Sequence, residues 1–412
     1  MGVGSVPSTS AADGGRLAQS HWLGPDARTE ALTSEPREFL SPLPADPRQR
    51  FLIGLGRLAF RSPAVFGGWV GRESLSCHTC HAGGVAQVRF FSPQTSDRAS
   101  NVDVSHEFWN PRSDDGRANA VNIPSLRGVG STAPYGRDGR RSTLAAFTRD
   151  VIVTEFAGLE PTPLLLDALV AYQQALAFPP NPHLGADGAL VATAPAAVRR
   201  GETLFRRDCA ACHVPATAFR DGRNHDVGTN GVFETPTLRG LADTAPYFHD
   251  GRAADLGAVV DHFDRTLRLG YDRDARDAVI AYLDAVGAVD GGAQPITLDR
   301  AVADIRTFAG LIKTPLASRE AEAVDWIVSL VRRQIGTIDE RFHRSEHAPA
   351  HDILAGWSRR LAAIAAMATE RRFNEAQRAL EAWDQDVGRD LPRLVTYEPS
   401  SLYRAEEIAA DR

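Results

Sequence analysis

The chain has 412 residues, 43% of them hydrophobic and 24% charged, with a formal net charge of −6. Such a length holds roughly two to four domains, and the balance is that of an ordinary globular protein. It offers no electrostatic case for binding nucleic acid or an anionic membrane surface, and no apolar run is long enough to span a bilayer.

In chain order, residues 1–46 read as a flexible leader with scattered Pro, Gly and acidic residues. Met1–Ser20 is rich in Gly, Ser and Ala and shows no apolar core of a signal peptide. From Pro47 the pattern turns helical: Phe51–Phe60 places apolar residues at helical spacing. Cys77-His78-Thr79-Cys80-His81 follows, and then a stretch rich in Gly, Asn, Asp and Ser up to Pro124. Asp167–Leu176 predicts a short helix ending before Pro179-Pro180, and this Pro pair with Asn181-Pro182 reads as a linker. A second unit begins near Ala196. Gly201–Phe205 leads into Cys209-Ala210-Ala211-Cys212-His213, and a helix over Asp277–Val286 closes the unit at Gly287.

The two units form an internal repeat. Pro124–Arg140 aligns without a gap with Pro236–Arg252, sharing Pro-x-Leu-Arg-Gly, Thr-Ala-Pro-Tyr and Asp-Gly-Arg. Both closing helices carry Asp-Ala-x-x-Ala-Tyr, and the order of all these elements is kept. Beyond about Ala293 four amphipathic patterns follow, near 298–313, 318–340, 350–371 and 373–389. They predict a C-terminal helical bundle or cap. The expected fold is mainly α, with a leader (1–46), two tandem cytochrome-c-like haem domains (47–188 and 189–292) and a helical extension (293–412).

The four cysteines all fall into the two CxxCH motifs. Two thiols spaced over one helical turn match the two vinyl groups of one porphyrin, and the adjacent His is delivered to the iron as axial ligand. Two covalent haem c groups are therefore expected, on Cys77, Cys80 and His81 and on Cys209, Cys212 and His213. The competing reading is a zinc site or a redox dithiol, neither of which needs His after the second Cys in both pairs. His78 reads as a spacer.

With both CxxCH motifs, both Pro-x-Leu-Arg-Gly segments and both Ala-Pro-Tyr-x-x-Asp-Gly-Arg segments in view, the chain resembles the bacterial di-haem cytochrome c peroxidase family. That family includes the relatives that mature a quinone cofactor in methylamine dehydrogenase. The resemblance covers about residues 50–290. It implies a peroxide-binding N-terminal haem and a C-terminal haem that passes electrons across the domain interface. It makes Glu155, in Val153–Gly158, the candidate for peroxide cleavage, because O–O heterolysis needs a proton moved from the near oxygen to the far one. The bland alternative is a surface or capping carboxylate. Arg127 and Arg239 are the arginines that the resemblance sets on haem propionates, with an interdomain salt bridge as the alternative. A Ca2+ ion between the haem domains is implied by the resemblance alone.

Three positions depart from the family pattern. Arg137 stands where a Trp often precedes Asp-Gly-Arg, and Phe147 stands for a Gln upstream of the catalytic Glu. Phe263 falls where the second haem usually finds a Met or Tyr ligand, seven residues past Leu256. His262 and His249 are substitute ligands to test, and His106 is a candidate removable ligand for the first haem; each is equally readable as a structural His. His343, His347 and His351 share a helical spacing, but Pro349 interrupts them and favours a solvated interhelical loop.

The leading expectation is a haem oxidoreductase that uses hydrogen peroxide at the N-terminal haem with electrons passed through the C-terminal one. Peroxide-dependent oxidation of a partner protein residue and a non-enzymatic di-haem electron carrier are the alternatives. Expected partners are a small electron-donor protein or an oxidisable protein, hydrogen peroxide, and a second copy in a homodimer. Haem c attachment points to the periplasm or another extracytoplasmic site.

Overall fold

A computed structural model describes residues 22–24, 29–86, 89–185 and 187–410. The fold is mainly α-helical, with three two-stranded ribbons among the described residues. The chain divides into two compact units. Among the described residues, one holds 22–24 and those from 34 to 295; the other holds 29–33 and 296–410.

The larger unit contains both CxxCH motifs, each framed by a helix pair. Helix α1 (Pro47–Phe60) packs on α2 (Pro163–Ala175) in the first half. Helix α3 (Ala196–Asp208) packs on α5 (Arg273–Gly287) in the second, with α4 (Leu256–Leu267) beside α5. Each helix start has a chemical reason. Asp46 caps α1 and Thr162 caps α2, each followed by Pro in the first turn, where a missing N–H does no harm. Asp255 and Asp272 cap α4 and α5 through their carboxylates.

The crossing in each half is set by a glycine. A Cβ on Gly56 would collide with the Ala168 carbonyl and lie 2.7 Å from Tyr172 Cβ. A Cβ on Gly201 would collide with the Ala278 carbonyl and lie 2.8 Å from Tyr282 Cβ. One helical turn later an aromatic pair completes the contact: Phe60 meets Tyr172 at 5.1 Å between ring centroids, and Phe205 meets Tyr282 at 4.8 Å. The repeat therefore includes Gly-x-x-x-Phe before each motif, a signal present in the sequence and overlooked there. Two apolar cores follow, one around Phe60, Trp109 and Tyr172, the other around Phe205, Phe219 and Tyr282.

The two halves are joined by polar contacts. Arg127 pairs with Asp243 at 2.8 Å, Arg98 donates to the Gly251 carbonyl at 2.9 Å, and the Asn122 N–H donates to the His249 carbonyl at 2.7 Å. The Glu234 N–H donates to the Arg137 carbonyl at 2.8 Å.

The expected flexible leader needs correction where it is described. Trp22 is buried in the first core, and Ser34–Pro36 pairs antiparallel with Ala293–Pro295. Glu38 accepts from Arg57 at 2.7 Å and also from the Tyr172 hydroxyl, tying this segment to α1 and α2. Local composition concealed this, because its partners lie far away in sequence. The expectation for Met1–Ser20 falls outside the described residues.

The other unit contains four long helices: α6 (Leu298–Gly310), α7 (Ala321–Asp339), α8 (Ala348–Thr369) and α9 (Phe373–Val395). Buried Trp357 and Trp383 lie at its centre, with the Trp383 indole N–H donating to the Trp357 carbonyl at 3.0 Å. The solvated-loop reading of His347 is wrong: it is fully buried, bonded to the Ser400 hydroxyl at 2.9 Å and to the Arg344 N–H at 3.2 Å. Pro349 sits in the first turn of α8, where it starts a helix and does not break one.

Gly56→Ala or Gly201→Ala forces a methyl into a packed backbone contact and lowers stability by about 1–3 kcal/mol. Urea unfolding of the purified protein measures this. An unchanged midpoint in both variants would contradict the close crossing.

Candidate functional site

Both CxxCH motifs form the same turn. The His81 N–H donates to the Cys77 carbonyl at 2.9 Å, and the His213 N–H donates to the Cys209 carbonyl at 2.9 Å. The first turn is fixed by Ser76 and Thr79, whose hydroxyl accepts the Ser76 N–H at 3.0 Å. The second grows directly out of α3, with Cys209 as the residue that caps it. In each case one turn of helix holds both thiols close together and sets the imidazole just beyond them.

Burial decides the protonation states. It pushes the thiols of Cys77 and Cys209 up to about 12, and raises those of Cys80 and Cys212 as well. All four cysteines are free. No cation lowers any of these thiols, so the environment is unlike that of a reactive dithiol, which needs a stabilised thiolate. Burial lowers His81 to about 4 and also lowers His213, so both imidazoles are neutral at pH 7 and suited to bind a metal.

The carbonyl of the proline that opens the Pro-x-Leu-Arg-Gly segment lies near each imidazole and raises its pKa against burial: Pro124 for His81, Pro236 for His213. His213 Nδ1 also donates to the Phe219 carbonyl at 3.0 Å. His81 Nδ1 is buried without a hydrogen-bond partner. In His213 the Phe219 carbonyl fixes the tautomer and leaves Nε2 as the ligating nitrogen. The sequence shows these prolines twice, but only the fold brings them near the histidines.

Glu155 ends a π-helical turn, Val151–Glu155, that continues the short helix Leu144–Asp150. Such turns are frequent at functional sites. The neighbouring Phe156 belongs to the same apolar core against which Cys77 and Cys80 pack, which anchors the turn to the first motif. Asn110 clamps the turn by donating to the Thr154 carbonyl at 2.6 Å. Burial pushes the Glu155 carboxyl up to about 6, opposed mainly by Arg140, whose guanidinium pairs with it at 3.1 Å. Arg140 itself lies over the Phe147 ring at 5.2 Å. Arg140 is the functional neighbour that the sequence reading missed; its place in the repeated Asp-Gly-Arg segment was the available signal.

Other candidates are placed differently from each other. The terminal nitrogens of Arg127 are engaged by Asp243 and by the Arg37 carbonyl at 3.0 Å, which is the salt-bridge alternative for this residue. Arg239 lies over the Phe178 ring at 4.8 Å. His262 Nε2 donates to the Val227 carbonyl at 2.7 Å, so ligation through that nitrogen would break a hydrogen bond. Phe263 and Phe248 flank it. His249 stacks on Phe233 at 4.1 Å. His106 accepts the Phe108 N–H through Nδ1 at 3.0 Å. Among the described residues, Cys212, Asp221 and His225 form a group with metal-ligand spacing, with His225 and Asp221 2.7 Å apart. No helix of the described residues is long and apolar enough to cross a membrane.

No family model matches the chain. Hydrazine synthase subunit gamma of Kuenenia stuttgartiensis is 25% identical over 299 residues, covering 58% of this chain and 76% of that protein. The methylamine utilization protein MauG of Methylorubrum extorquens is 26% identical over 270 residues, covering 53% and 70%. Cytochrome c551 peroxidase of Nitrosomonas europaea is 37% identical over 70 residues, covering 17% and 21%. A solved structure of the Kuenenia stuttgartiensis hydrazine synthase aligns at a TM-score of 0.43 with 22% identity, over 69% of this chain and 99% of that one. The sequence similarities to MauG and to cytochrome c551 peroxidase fit the di-haem cytochrome c peroxidase family, the resemblance read from the motifs.

The raised Glu155 carboxyl has a testable consequence. A carboxyl at 4.5 in the unfolded chain and about 6 in the fold binds protons more tightly when folded. Its contribution is fully present below pH 4.5 and is lost as pH rises through 6, a change of about 2 kcal/mol. Glu155→Gln should abolish this part of the stability profile, and carbon-detected NMR titration should show Arg140→Met moving the carboxyl further upward. A Glu155 titrating near 4.5 would refute the buried placement.

Proposed function

We propose that the chain is a di-haem c-type oxidoreductase that uses hydrogen peroxide at a haem held by Cys77, Cys80 and His81. Electrons reach it through a second haem held by Cys209, Cys212 and His213. The observation that carries this reading is the same turn built twice: paired neutral thiols with a neutral imidazole just beyond them. This donor set fits haem c, whose vinyl groups take up thiols and whose iron takes a neutral imidazole. The similarity to MauG and to cytochrome c551 peroxidase supports an oxidoreductase. Two cytochrome-c-like domains, residues 47–188 and 189–292, follow as the proposed arrangement, with residues 293–412 as a helical extension. An extracytoplasmic location follows from haem c attachment.

When bound, the haem supplies the redox centre and an iron position for peroxide. The residues of the chain do the rest. His81 and His213 supply the imidazoles, and the Phe219 carbonyl holds the His213 ring through Nδ1 so that Nε2 is left for the metal. Glu155 takes the proton of one peroxide oxygen and returns it to the other. Arg140 keeps that carboxylate ionised and oriented between turnovers. The repeat does not duplicate this carboxylate: Leu267 stands at the corresponding distance past Arg252. Reduction of peroxide by a small donor protein and oxidation of a partner protein share these steps and differ in where the electrons originate. Propionate contacts through the terminal nitrogens of Arg127 are not part of this reading, because those nitrogens are engaged elsewhere.

A second reading of the second motif rests on the Cys212, Asp221 and His225 group, which would hold a divalent metal in place of a haem. Intact mass after production with a haem-attachment system separates the two. Two haems on the wild type and one on Cys209→Ser/Cys212→Ser support the di-haem protein. One haem plus a bound metal that is lost in His225→Ala supports the second reading.

Glu155→Gln should lower peroxide turnover by roughly 10²–10⁴-fold while both haem spectra persist. In the wild type kcat/KM should rise with pH and level off above about 6, where the base is ionised. Full turnover by the Gln variant would remove Glu155 from this role.

A further inference from the structure

The first half stacks three of the chain's six tryptophans. Trp109 lies 5.9 Å from Trp69, nearly parallel at 16°, and 5.7 Å from Trp22. Phe108 packs edge-on against both Trp69 and Trp109 at 4.8 Å. Phe156, next to Glu155, packs edge-on against Trp109 at 5.2 Å. Cys77 and Cys80 border the same cluster. Trp109 is fully buried, whereas Trp69 is only half-buried and reaches the surface.

Packing alone does not account for this stack. Buried indole N–H groups usually find an acceptor, and leaving one unpaired costs about 1–3 kcal/mol. Trp22 obeys, donating to the Glu73 carbonyl at 3.1 Å. Trp109 Nε1 is buried with no acceptor. A phenylalanine there would fill most of the volume without an orphan donor. Indole is among the most easily oxidised side chains, and rings in contact exchange electrons over short steps. An indole without a proton acceptor keeps its proton when oxidised, so its radical is readily reduced back.

We infer that Trp109 and Trp69 form an electron relay between the first CxxCH site and the protein surface. The inference rests on the proposed peroxide chemistry for its natural oxidant. An electron leaves the indole of Trp109 for the oxidised site, leaving an indole radical cation that keeps its Nε1 proton. Trp69 then reduces Trp109. An external donor, a redox protein or an oxidisable side chain of a partner, reduces Trp69 at the surface. One such electron, joined by one that arrives through the second haem and by two protons from solvent, converts one hydrogen peroxide into two waters. Trp22, buried and off this route, is the internal control.

The test uses the full-length haem-loaded protein carrying ring-deuterated tryptophan, oxidised either by hydrogen peroxide or by a flash-generated ruthenium polypyridyl oxidant. Paramagnetic resonance on rapidly frozen samples should show a radical whose line shape responds to the indole deuterium. Trp109→Phe should lose it. Trp69→Phe, at the partly exposed end and so tolerant of substitution, should keep the radical but slow its reduction by added ferrocyanide. Trp22→Phe should behave as wild type. A radical that survives in Trp109→Phe, or its absence in the wild type under both oxidants despite peroxide turnover, overturns the relay and leaves the peroxide reading intact. A Trp109 radical under flash oxidation with no response to peroxide supports the relay and overturns the peroxide reading.

Discussion

Each half of the unit spanning residues 34–295 depends on two helices meeting where one has no side chain. At Gly56 and Gly201 the backbone of one helix touches the backbone of the other, and Tyr172 or Tyr282 closes over the contact. This close approach lets Phe60 and Phe205 reach the same tyrosines and begins the apolar core behind each motif. In the second half Cys209 follows the crossing helix directly. In the first half residues 61–76 intervene, and this insertion carries Trp69 of the tryptophan stack. A single packing rule, used twice, thus supports two sites that are then elaborated differently.

The elaboration is electrostatic as well as steric. Burial keeps the thiols protonated and the imidazoles neutral in both halves. The first half sets the half-buried Glu155 carboxyl against Arg140 beside the core of its motif, whereas the second half buries Glu234 against Arg220. Between the halves, Arg127 is buried against Asp243, and the backbone at Arg137 and His249 is held by strand and loop N–H groups. These bonds fix the register of one half against the other, the condition for any transfer between two sites.

Much of the candidate site was legible because its chemistry is local. The CxxCH turns, the Pro-x-Leu-Arg-Gly and Asp-Gly-Arg repeats and the closing helices lie within short windows whose spacing reports helical geometry. Glu155 was legible by its place after a repeated segment. The partners that tune these groups were not: Arg140 reaches Glu155 across 15 residues, and Pro124 lies 43 residues past His81. His262 illustrates the limit. Its spacing nominated it as a ligand, yet its ring bonds to a carbonyl 35 residues away.

By itself the sequence determined the two CxxCH motifs, the duplication, the mainly helical character and the amphipathic C-terminal segments, because periodicity and adjacent residues encode them. Tertiary structure alone decided that residues 34–46 join the first half, that His347 is a core residue, that Arg127 is committed to Asp243, and that Trp69 and Trp109 stack. Each of these is a contact between segments distant in the chain, and its energy depends on burial that no local pattern specifies. The CxxCH turns could be read from five residues; what surrounds them could not.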